Sequence, residues 1–167
     1  MPAAAVTSAA TRPVPLAAGE RLVAAGIAAA AAAPLLVAAW LEPSGSGVGT
    51  HEQLGLPACG WIAGLGMPCP SCGMTTAFAF ASRGALLDAF ATQPAGAVLA
   101  LAAAIVALIA AWTAVTGSRS WELLWSAMGR RFWWGFVAVA ALAWVYKIAA
   151  MRLDSMALPL ATGGGAG

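Results

Sequence analysis

Ala95–Thr116 reads AGAVLALAAAIVALIAAWTAVT, twenty-two residues without a charge. As an α-helix rising 1.5 Å per residue it would be about 33 Å long, enough to cross the roughly 30 Å hydrocarbon core of a bilayer. Val98, Leu99, Leu101, Ile105, Val106, Leu108 and Ile109 give it the strongest apolar signal in the chain. The whole composition agrees with that stretch. Of 167 residues, 62% are hydrophobic and 8% charged, where soluble domains carry about 25% charged residues. So few charges cannot cover a water-facing surface, and an integral membrane protein is the expectation.

Working outward, two further runs have spanning length. Leu22–Leu41 lacks charges but is rich in alanine and carries Pro34; Ala24, Ala28 and Ala32 fall at the four-residue spacing that lets helices approach closely. Phe132–Met151 is the third run, with Trp133 and Trp134 at one boundary and Trp144 and Tyr146 near the other. Lys147 lies close to the end of this run and is expected to snorkel its ammonium to the headgroups. The predicted architecture is therefore all-α and integral to a membrane, with three transmembrane helices at 22–41, 95–116 and 132–151.

Between the spans, residues 1–21 read as a flexible tail, opposed to helix by Pro13 and Pro15. Residues 42–73 form a loop rich in Pro, Ser and Gly. Residues 74–94 hold two short helices, Met74–Ser82 and Ala85–Thr92, parted by Arg83-Gly84 and closed by Pro94. Neither can span, so interfacial or re-entrant placement is expected. A connector at 117–131 carries Trp121 and Trp125 as interface anchors, and 152–167 reads as a flexible tail. With the N-terminus in the cytoplasm, Arg12, Arg21, Arg119, Arg130 and Arg131 lie inside, against Arg83, Lys147 and Arg152 outside. That bias predicts a cytoplasmic N-terminus, with the 42–73 loop on the outer side of an inner membrane.

All three cysteines fall in that loop, in CGWIAGLGMPCPSCGMTT from Cys59 to Thr76, with the single histidine, His51, just before. Three readings stand open. Cys69 and Cys72 can turn two sulfurs toward one ion, and with Cys59 and His51 they make a set of three cysteines and one histidine suited to zinc. The same Cys-x-x-Cys before a helix is a redox dithiol pattern, with Cys59 as a third thiol, although no thioredoxin-like βαβ context surrounds it. A disulfide or a packed turn could simply staple the loop, which the outer compartment permits. His51 also reads as a solvated loop residue. Thr75 and Thr76 read as first-turn hydroxyls that satisfy free backbone N–H groups. Arg83 and Asp88 read as charges holding the short helices at the water interface.

At these residues the chain resembles bacterial domain-of-unknown-function family 2752. The matching positions are Cys59, Gly66, Pro68, Cys69, Pro70, Cys72, Gly73, Thr75, Arg83, Gly84, Ala89 and Pro94, over about residues 54–116. Thr76 stands where many members carry Arg. The resemblance implies a small multi-span membrane protein and no particular reaction.

Other chemistry is excluded by pattern. There is no phosphate-binding Gly-x-x-x-x-Gly-Lys loop, no Gly-x-Ser-x-Gly elbow and no paired carboxylates, since Glu42, Glu52 and Asp88 are scattered. A net charge of +2 with dispersed basic residues excludes nucleic acid as a partner. The expected partners are the lipid bilayer and either copies of the chain or another membrane protein. The expected role is non-enzymatic, a loop shaped by metal or disulfide, with thiol–disulfide exchange through Cys69 and Cys72 as the alternative.

Overall fold

The computed structural model describes residues 16–120, 122 and 129–162, the last nine of these and residue 131 by backbone alone. Among the described residues there is no strand, and six α-helices follow in order: α1 (Ala18–Trp40), α2 (Gly60–Leu65), α3 (Met74–Ser82), α4 (Leu86–Thr92), α5 (Pro94–Thr116) and α6 (Arg130–Thr162). A 3₁₀ turn, Thr50–Leu54, precedes α2. Among the described residues, three helices are long and apolar enough to cross a membrane: Ala18–Trp40, Pro94–Thr116 and Phe132–Leu153. α1 begins inside the stretch expected to be a tail, and α6 runs on to Thr162. Trp121 and Trp125 lie outside the described residues, as do the two chain ends.

The first two spans are antiparallel. The start of α1 meets the end of α5, where the Leu16 N–H donates to Gly117 O at 3.0 Å. The Arg21 guanidinium donates to Ala114 O and Val115 O, both at 2.8 Å. The last carbonyls of a helix lack intrahelical partners and carry the negative end of its dipole, so a cation there satisfies both needs.

Small residues set the packing at the other end. Ala77, Ala89 and Ala97 are fully buried where α3, α4 and α5 meet. A Cβ placed on Gly96 would sit 3.0 Å from Ala77 Cβ and 3.2 Å from Met74 Cα, so glycine eases this close approach of α5 to α3. Phe78 fills the space between α3, Ala38 of α1 and Ala100 of α5. Pro94 takes the first turn of α5, where its missing N–H has no intrahelical acceptor anyway. α3 and α4 thus brace the cysteine loop against α1 and α5, while α6 is more peripheral.

Candidate functional site

Cys69 and Cys72 lie on a turn closed by the Cys72 N–H donating to Cys69 O at 3.0 Å. The chain then passes through Gly73, at φ +84°, into α3. A side chain at Gly73 would be strained by that backbone and would strike Gly47 O at 2.7 Å and Lys147 Nζ at 3.1 Å. Cys59 stands immediately before α2. The turn and the head of α2 bring the three sulfurs together: Cys69 to Cys72 at 3.1 Å, Cys72 to Cys59 at 3.2 Å, all within 4.8 Å of one another. All three are free thiols.

The three thiols are not equivalent. The Ile62 backbone N–H, followed by the Cys72 thiol, lowers the Cys59 pKa to about 6. Burial, followed by hydrogen bonding to Cys69 and Cys59, pushes Cys72 up to about 12. Cys59 is therefore the natural thiolate of the group and Cys72 its donor, which matches Cys72 donating to Cys59. The Cys69 N–H also donates to Cys72 Sγ at 3.2 Å.

The triad lines a cavity of about 490 Å³. Val48, Ala58, Ile62, Ala63 and Met74 supply apolar wall, and His51, Glu52 and Thr75 line it too. His51 is not among the residues whose ligand atoms cluster with the sulfurs; its Nε2 lies 3.1 Å from Pro57 O.

Side chains from other segments grip the motif through its proline carbonyls. Trp144 of α6 donates its indole N–H to Pro68 O at 3.1 Å, and its ring meets Trp61 of α2 edge-on at 6.3 Å. Gln93, fully buried at the head of α5, donates its amide to Pro70 O at 3.1 Å. Tyr146 donates to Ala91 O at 2.9 Å. Proline has no N–H to bind and a fixed φ, so Pro68 and Pro70 offer carbonyls on a stiff backbone.

Lys147 corrects the sequence reading. It does not snorkel away from the protein: it is 6% exposed, and its ammonium donates to Gly47 O and Thr92 O, both at 3.1 Å. The cause is the loop, which folds over this part of α6 and presents carbonyls to the charge. Thr76 is likewise no helix cap. Its hydroxyl and that of Thr50 share a buried hydrogen bond of 2.8 Å, and Thr50 Oγ accepts from the Ser44 N–H. Arg83 and Asp88 are exposed, and Gly84 turns the chain at φ +79°. Gln93 and Lys147 were not singled out as site residues by sequence. The usable signal was their polarity at the edge of apolar runs, because a polar group there must find a partner.

Fold and site together define a helical protein with three spanning-length helices and a cysteine triad at one end of them. Residues 59–107 match the model of a family described as a protein of unknown function (DUF2752), the family the motif resembles. The match begins at Cys59 and ends within α5, so it covers the triad, α2 to α4 and part of the second span. No curated protein and no solved structure matches the chain.

Proposed function

We propose that this is a multi-pass inner-membrane protein whose Cys59, Cys69 and Cys72 bind one thiophilic divalent cation, zinc foremost, on the outer face. The ion organises the outer loop for a partner in or on the membrane. The observation that carries this reading is the convergence of three sulfurs from two separate segments. Around a tetrahedral ion with Zn–S of about 2.3 Å, sulfurs stand about 3.8 Å apart. Separations of 3.1 and 3.2 Å for two pairs, within a 4.8 Å cluster, reach that spacing with small side-chain rotations. The excess of arginine near the N-terminus and in the connector supports an outward-facing loop.

The test is metal analysis of the full chain purified in detergent, with thiols counted before and after chelation. One zinc per chain, three thiols protected until the metal is removed, and loss of zinc in Cys69→Ser are expected. A metal-free protein with three reactive thiols sinks the reading. A reporter fused after Gly167 should be exposed outside; cytoplasmic exposure reverses the topology.

A second reading rests on the 3.1 Å contact of Cys69 and Cys72 beside the acidic Cys59. In it, a Cys69–Cys72 disulfide takes two electrons from a partner dithiol, which becomes a disulfide. Equilibration of that bond with a mild dithiol favours this reading over zinc.

A further inference from the structure

We propose that the triad-bound ion takes its fourth donor from outside the chain, a small-molecule thiol seated in the cavity over the cysteines. This rests on the metal reading above and adds to it the class of ligand the site receives.

Zinc in protein sites is four-coordinate: four protein ligands when structural, three and an exchangeable position when it serves an incoming molecule. Here the chain brings three donors together and no fourth among the described residues. His51, the nearest candidate by sequence, directs Nε2 at Pro57 O. Space adjoins the three sulfurs, because Cys59, Cys69 and Cys72 all line the 490 Å³ cavity. Ligand pockets of about 300–1,000 Å³ hold small molecules, far more than one water.

The chemistry of the walls and the donors narrows the class. Soft thiolates select soft partners, and a fourth sulfur completes the all-sulfur coordination common for zinc. Val48, Ala58, Ile62, Ala63 and Met74 would shelter the carbon skeleton of such a ligand, while Glu52 would meet its polar end. Binding is an exchange without redox change. Held by Cys59, Cys69 and Cys72, the ion would accept the sulfur lone pair of the incoming thiol in exchange for a solvent molecule, and the S–H proton would pass to solvent.

The experiment uses the full chain in detergent, freed of metal and titrated with Co²⁺ under argon, with 2-mercaptoethanol as the probe. The expected result is one bound Co²⁺ whose visible bands shift saturably on adding the thiol, in the wild type and equally in His51→Ala and His51→Gln. Ala63→Phe, placed on the exposed side of α2, narrows the cavity; it should leave Co²⁺ uptake unchanged and weaken thiol binding about tenfold. Bands that ignore the thiol, and that change in both His51 variants, overturn the proposal, because His51 then closes the site. A thiol response of equal strength in Ala63→Phe overturns the cavity as its seat. Failure to bind Co²⁺, or binding that survives Cys69→Ser, overturns instead the metal reading on which the proposal stands.

Discussion

At the cysteine end, Trp144, Tyr146 and Lys147 of α6 each donate to a backbone carbonyl of another segment, and Gln93 adds a further such bond. At the opposite end, the described bonds between elements are those of Arg21 and of the Leu16 N–H, and the described ion pair is local, Arg119 to Glu122 at 3.1 Å. The first arrangement is directional and mostly part-buried; the second caps a helix end at an exposed surface. Apolar spans give each other little orientation through lipid-like contacts alone. Side-chain bonds to carbonyls supply the missing register, and this protein concentrates them around the sulfurs. The arrangement holds a site; the opposite end only needs to close a helix.

The largest test of that contrast is Lys147→Met. It leaves Gly47 O and Thr92 O without their donor and loosens α6 from the loop; a loss of about 3 kcal/mol is expected from bonds to a charged donor. Thermal unfolding in detergent measures it, and faster maleimide labelling of Cys72 should accompany it. An unchanged midpoint would break the contrast. Gly73→Ala follows, at about 2 kcal/mol, from a left-handed backbone and a collision with Gly47 O; the same melting curve reads it.

Alkylation sharpens the comparison at the sulfurs. In metal-free protein, iodoacetamide should modify Cys59 about tenfold faster at pH 7 than at pH 5, because its pKa is near 6. The depressed value means that Cys59 contributes stability above its unfolded pKa, lost as pH falls through 6. Cys72 should stay unreactive across that range, being held near 12. Mass spectrometry of the modified peptides distinguishes the two.

Trp144→Phe keeps a ring against Trp61 and removes the donor to Pro68 O, so about 1 kcal/mol is expected. At the opposite end, Arg119→Ala should change stability by no more than about 0.5 kcal/mol, since both partners of its ion pair are half exposed. A larger effect of Arg119→Ala than of Trp144→Phe would reverse the picture.

Apolar length makes the three spans legible in the sequence, and Gly73 and Ser82-Arg83-Gly84 bound α3 at Met74–Ser82. The cysteines are legible as a group because their spacing is local. Lys147 is not: its carbonyl partners lie 55 and 100 residues away, and no periodicity carries that distance. Trp144 reads as an interface marker for the same reason, although its N–H is taken by Pro68 O. The 3₁₀ turn and α2 are hidden in a glycine-rich stretch because each is brief and is held by Cys59, Trp61 and Gln53 rather than by helix propensity.

The distances along the chain that hide Lys147 also order its assembly. Gly47 and Thr92 leave the ribosome well before Lys147 does. In the order of synthesis the two acceptors of Lys147 therefore precede their donor. Docking of α6 and closure of the loop over the cysteines are thus joined through one ammonium, and a chain cut before Lys147 loses both of these bonds.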